Sequence, residues 1–208
     1  MASLHETPTF TPLSPAIYCD RPVHRLSVAE FERMIELGFL VDQRVELLEG
    51  VIVEMTPVGP EHCYTTSRLT RTLRALLETL GWHVEEQWPI GLPESRPQPD
   101  VVVIQGSLQE HARQIPTAAE VSIAIEVSDS TLPADRAHKA RLYAAAGVEQ
   151  YWIVNLVDRQ IETFAEPAFD AHGGCEYRRR SIIIDQVEVI LGGQRLGAVR
   201  VADILPTK

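Results

Sequence analysis

Pro99-Asp100 opens the apolar run Val101-Val102-Val103-Ile104, Glu126 lies inside the alternating segment from Val121 to Ser128, and Lys139 follows shortly after. An acid at the edge of a buried strand is costly unless it is solvated, paired or holding a cation. Two such carboxylates on consecutive strands, followed by a lysine, are the residue types of a metal-dependent phosphodiesterase site. Side chains alternate along a strand, so Ala124, Glu126 and Ser128 share one face while Val121, Ile123, Ile125 and Val127 share the other. With the Asp100 strand alongside, Asp100 and Glu126 converge at strand ends and can hold Mg²⁺, or Mn²⁺ in its place, through oxygen ligands and several waters. Such an ion lowers the pKa of a bound water and stabilises charge on a phosphate. Lys139, about one turn into the next helix, is expected to orient that water or to neutralise the developing charge.

Each residue also has a plainer reading. Asp100 can start a strand or cap a turn. Glu126 can form a surface ion pair on an open sheet face, and Lys139 can be a solvated helix residue. His62, near the start of a long helix, can donate to a phosphate, act as a base, or serve only as a helix-terminal surface group. Asp135 and Tyr143 flank Lys139 at helical spacing, and an Asp135–Lys139 pair is expected from it.

The elements that must position these groups are legible in the periodicity. Ser27-Val28-Ala29-Glu30 matches a capping box, and Val28, Phe31 and Ile35 predict a short helix ending at Gly38. Arg44 to Met55 alternates around Glu49-Gly50, which predicts a hairpin with Glu46 on its first strand. Leu69, Leu73, Leu76, Leu77 and Leu80 form a helical stripe between Pro60 and Gly81, the longest helix expected. Strands follow at Trp82 to Trp88, after Asp100 and at Ala119 to Ser128. A helix over Ala134 to Ala146 and a strand at Gln150 to Asn155 then complete a β-helix-β unit, expected to be a parallel crossover. The remainder, with strands near 160–164, 176–184 and 187–191 and a Gly192-Gly193 turn, reads as an antiparallel meander.

Composition bounds the rest. The 208 residues, 45% hydrophobic and 23% charged, suit a single domain over 25–208 with one core. Residues 1–24, with repeated Thr-Pro and Ser-Pro, read as an extended arm. No apolar stretch approaches the roughly 20 residues that span a bilayer, and the N-terminus lacks the apolar centre of a signal peptide, so a cytoplasmic protein is expected. Cys19, Cys63 and Cys175 have neither disulfide nor zinc spacing and are expected as reduced thiols. The net charge of -10 opposes nonspecific DNA binding, although Arg178-Arg179-Arg180 offers one basic patch.

At these residues the chain resembles the bacterial Uma-type proteins, restriction-endonuclease-like members of the PD-(D/E)xK nuclease superfamily. The resemblance runs in order over about residues 26–205. It comprises Val45-Glu46-Leu47-Leu48-Glu49-Gly50, His62 after a proline-bearing turn, Gln98-Pro99-Asp100-Val101-Val102, Ile125-Glu126-Val127-Ser128, and Lys139 through Tyr143 to Gly147-Val148-Glu149-Gln150-Tyr151-Trp152. It implies an α/β (α+β) restriction-endonuclease-like fold, a mixed central sheet flanked by helices with an antiparallel C-terminal meander. It also implies Glu46, Asp100 and Glu126 as metal ligands, with Lys139 as the catalytic lysine. In the superfamily pattern the lysine usually lies two residues after the second acid, where this chain has Ser128. Asp129 stands where the family commonly has proline.

Two functions from different classes are expected. One is a Mg²⁺-dependent endonuclease acting on DNA, as a homodimer presenting two sites to a duplex. The other is a noncatalytic interaction protein that keeps the fold, with a hydrolase of another phosphoester as a third option.

Overall fold

The computed structural model describes residues 23–169 and 174–207. The expected extended arm, up to residue 22, and Cys19 lie outside them. Helix α1, Val28–Glu36, begins with the expected capping box: Glu30 N–H donates to Ser27 Oγ, and Ser27 N–H to Glu30 Oε2 at 2.8 Å. Phe31 is buried against Val45 and Leu47. Ile35 is exposed instead of packed, because the small cluster beneath α1 ends before its last turn.

Strands β1, Val45–Leu48, and β2, Val51–Glu54, form the expected hairpin. Glu49 and Gly50 both have positive φ, 47° and 78°, as a two-residue turn of this hand requires. Gly50 has a second constraint: a Cβ there would lie 2.6 Å from the Arg25 Cβ. β1 is buried on both faces. Val45 and Leu47 pack on α1, whereas Leu48 joins the core between the main sheet and its helical crossover. Glu46 shares the Leu48 face and is thereby turned inward.

Helix α2, Pro60–Leu77, continues through a 3₁₀ turn, Glu78–Leu80, and stops at Gly81 with φ 93°. Leu69, Leu73 and Leu77 are fully buried, each stabilising by roughly 2 kcal/mol. Leu80 is exposed, since the tighter 3₁₀ turn rotates it off the stripe.

The central sheet has the order β3-β4-β5-β6-β7-β8. Its strands are β3 Trp82–Glu86, β4 Val101–Gln105, β5 Val121–Ser128, β6 Gln150–Asn155, β7 Gln160–Phe169 and β8 Cys175–Ile183. Only β5 and β6 run parallel. They are joined by the expected helical crossover, which has three parts: α3 Leu132–Ala134, a π turn Asp135–Lys139, and α4 Ala140–Ala145. The π turn departs from the uniform helix that the periodicity predicts. β5 is central and covered on both faces, by α2 on one side and the crossover on the other.

The C-terminal strands remain antiparallel but divide between two sheets. β7 and β8 extend the central sheet, whereas β9 Gln186–Leu191 and β10 Gln194–Arg200 form a separate pair. Val187, Val189 and Leu191 alternate inward and are covered with the α2 leucines. Gly197 allows the close approach of Leu76, 2.7 Å from where a Cβ would stand. Short helix α5, Val201–Ile204, closes this layer. Among the described residues no helix is long and apolar enough to cross a membrane.

Candidate active site

β4 begins after Pro99, which has no N–H to offer the ladder. Its register with β5 pairs Val101 with Ile125, so one further step sets Asp100 across from Glu126. Beyond that point β5 would lack a partner on this side, and the Asp100 side chain supplies one. Its Oδ2 accepts from Val127 N–H at 2.8 Å. The same oxygen lies 3.0 Å from His62 Nε2, in the first turns of α2, and Thr66 Oγ1 lies 3.4 Å from the other ring nitrogen. Since the carboxylate can only accept, Nε2 is the donor in this contact. Asp100 therefore begins the strand, as its plainer reading has it, and also faces the site.

Glu126 is buried, not part of an open sheet face, and is 5% exposed. Its Oε1 accepts from Lys139 Nζ at 2.9 Å and from Tyr143 OH at 3.1 Å. Lys139 also reaches Glu46 Oε1 at 3.1 Å, and Glu46 Oε2 accepts from Gln98 N–H at 3.2 Å. One ammonium thus bridges two buried acids. Burial pushes the Glu126 carboxyl up to about 8, with the charges of Asp100, Asp135 and Glu46 adding to the effect and Lys139 opposing it. Burial works against the Lys139 ammonium, but Glu126 and Glu46 outweigh it and hold the amine above its ordinary range. Burial and the neighbouring Glu126 raise the Tyr143 phenol, which stays a donor.

Asp135 does not pair with Lys139 as helical spacing suggests. Its Oδ2 accepts from Ser128 Oγ at 2.8 Å and Thr131 Oγ1 at 2.6 Å. Glu49, in the β1–β2 turn, accepts from His138 at 3.1 Å and Arg141 at 3.1 Å, and so ties the Glu46 hairpin to the crossover.

Glu46, His62, Asp100, Glu126 and Lys139 all line one cavity of about 480 Å³, and Asp129 lies at its exposed rim. Asp100 Oδ1 and Glu126 Oε2 accept no hydrogen bond among the described residues, whereas both oxygens of Glu46 are engaged. No three His, Cys, Asp or Glu side chains among the described residues are drawn together as a metal cage. The donor chemistry that fits a cation is therefore the Asp100 and Glu126 pair, the one or two carboxylates that Mg²⁺ commonly takes alongside water.

One buried acid escapes a reading of the sequence. Glu162 on β7 is fully buried and accepts from Arg136, Arg180 at 2.6 Å and Asn155 at 2.9 Å. Burial alone would raise its carboxyl, but these donors hold it down at about 2. A glutamate between Ile161 and Thr163 in a β-rich run is the available signal. Seventeen of the nineteen Lys and Arg side chains are arginines, and the two lysines are at 139 and 208. The Arg178-Arg180 patch is largely spent elsewhere, since Arg180 pairs with Glu162 and Arg179 with Glu166, and none of the three lines the cavity. Cys63 and Cys175 are free thiols.

A mixed sheet with an acid-lined cavity at the ends of its central strands defines a protein with a nuclease-type fold. The chain belongs to the Uma2 family, described as "Putative restriction endonuclease", whose model matches residues 28–196. It is similar to the crystal structure of "a putative nuclease belonging to DUF820 from Anabaena variabilis ATCC 29413", with a TM-score of 0.65 and 12% identity. The match covers 88% of this chain and 97% of that one, and at this identity it shows the fold alone. No curated protein matches the chain.

Proposed function

We propose that the chain is a Mg²⁺-dependent endonuclease hydrolysing DNA phosphodiester bonds. The observation that carries this reading is that Asp100 and Glu126, set opposite each other by the β4–β5 register, each keep one unengaged oxygen in the cavity that Lys139 also enters. Asp100 and Glu126 would hold the ion, Mg²⁺ or Mn²⁺, with Glu46 as the third acid of the wall. Bound there, the ion would supply an activated water and charge stabilisation for the phosphate. Lys139 brings a positive charge to the same cavity, where it offsets charge on the phosphate oxygens. Tyr143 and Glu46 orient that lysine and its partner carboxylate, and His62 fixes the rotamer of Asp100. We place such an enzyme in the cytoplasm and, because a duplex has two strands, as a homodimer. Purified protein should nick or cut DNA with Mg²⁺ or Mn²⁺ and lose this with Asp100→Ala; full activity in that variant would overturn the assignment.

A noncatalytic interaction protein is the second reading. It is favoured by the net charge of -10 and by Lys139 being engaged with two of the acids. Calorimetry separates the two: Mn²⁺ binding that vanishes with Glu126→Ala counts against an abandoned site.

A further inference from the structure

In an ordinary α-helix Asp135 and Lys139, four residues apart, would face each other and pair. The π turn Asp135–Lys139 accommodates one more residue per turn, which rotates the residues after it by about 100° relative to a regular helix. The two side chains take different partners. Lys139 goes to Glu126 and Glu46, while Asp135, 5% exposed, is held by two hydroxyls on a single oxygen. One hydroxyl belongs to Ser128, the fully buried last residue of β5 and two residues beyond Glu126. The other belongs to Thr131, in the connection between β5 and the crossover. The backbone carbonyl of Asp135 is held as well, by Tyr151 OH at 3.2 Å from β6. The first residue of the π turn is therefore tied to both parallel strands.

We propose that Asp135, clamped by Ser128 and Thr131, is the positioning residue that sets the π turn and so aims the Lys139 ammonium between Glu46 and Glu126. Ser128 thereby couples the strand that carries Glu126 to the helix that carries Lys139. A π turn is an energetically marginal element that persists where side chains hold it, and it often stands at functional sites. Here Arg136, the next residue, anchors the opposite side of the same turn to Glu162 on β7. The proposal rests on the nuclease reading only for its catalytic consequence; the placement of the amine is measurable without it.

With lysines only at 139 and 208, acylation by acetic anhydride followed by peptide mass spectrometry reads Lys139 by itself. In the wild type Lys139 reacts much more slowly than a free lysine peptide. Asp135→Ala, with folding checked by circular dichroism, should speed its acylation toward that of the peptide, and Ser128→Ala should shift it in the same direction. Asp135→Asn should restore protection, because both hydroxyls donate to one oxygen and an amide carbonyl can accept both. In cleavage assays Asp135→Ala should lower kcat by about 100-fold with KM little changed, as for a misplaced catalytic group, and Asp135→Asn should recover most of the loss. Unchanged protection in both alanine variants would overturn the proposal. So would an Asp135→Asn protein that behaves like Asp135→Ala, since that assigns the role to charge and not placement. If Asp135→Ala does not fold, Ser128→Ala carries the test. A wild type that cuts no DNA with Mg²⁺ or Mn²⁺ removes the nuclease reading, while the acylation result still decides the clamp.

Discussion

Lys139 Nζ lies 2.9 Å from Glu126 Oε1, although a strand end, a loop and a π turn separate the two residues along the chain. The same ammonium reaches Glu46 from the N-terminal hairpin. Removing the cation takes the ammonium from two buried acids and leaves them only Tyr143 OH and Gln98 N–H as donors. Because the Glu126 carboxyl, raised to about 8, is largely protonated at neutral pH, Lys139→Ala should destabilise the metal-free protein by roughly 1–3 kcal/mol, the cost of buried acceptors that lose their donor. Urea unfolding checks this, and a midpoint equal to that of the wild type would contradict the bridging role.

Glu126 supplies a pH dependence of definite sign. Its carboxyl is raised in the folded protein to about 8 from an ordinary 4.5. The folded state therefore binds the proton more tightly than the unfolded chain. The associated stability is fully present below about pH 4.5 and is lost as pH rises through 8. In metal-free protein the melting temperature should fall between about pH 5 and 9, and Glu126→Gln should flatten that slope. A profile identical in the variant would rule out Glu126 as its source.

Glu162 acts with the opposite sign. Its carboxyl sits near 2 when folded, so the stability it contributes is present above pH 4.5 and is lost as pH falls through 2. Glu162→Gln should shift acid unfolding, followed by tryptophan fluorescence, to a smaller dependence on pH in that window. Because Arg180 loses its acidic partner and Arg136 keeps only Asp158 at 3.6 Å, the variant should also be less stable at about pH 7.

Gly50→Ala tests the hairpin that carries Glu46. The φ of 78° strains an L side chain, and the added Cβ would meet Arg25 at 2.6 Å. A loss of more than about 1 kcal/mol is expected. If the turn shifts, Glu46 moves with it, so the acylation rate of Lys139 should rise as well. Thermal melts together with that rate provide the check.

Leu73→Ala probes the layer between α2 and the sheet. Leu73 is fully buried among apolar neighbours, so the variant should lose roughly 2–5 kcal/mol. Denaturant unfolding would show it, and the protection of Lys139 from acylation in the folded fraction should be retained, because the cavity lies beyond the N-terminal end of that leucine stripe.

Much of this molecule follows from its sequence alone. The capping box at Ser27, the Glu49-Gly50 turn, the leucine stripe of α2, and the strands after Asp100 and around Glu126 depend on backbone periodicity and φ preferences. Those are local properties, carried by residues within a few positions of each other. The order of acids, lysine and intervening elements is likewise explicit in the chain. Three-dimensional packing decided what local periodicity cannot contain. The meeting of Glu46 with Lys139, 93 residues apart, depends on how the hairpin docks on the crossover. The burial of Glu126 on both sides depends on β5 being central. The division of the last strands follows from where an uncovered apolar face finds α2. The π turn is the sharpest case, for Asp135 and Lys139 have the spacing of a helical pair. They separate because buried hydroxyls on one side and buried carboxylates on the other satisfy each charge better than the pair would.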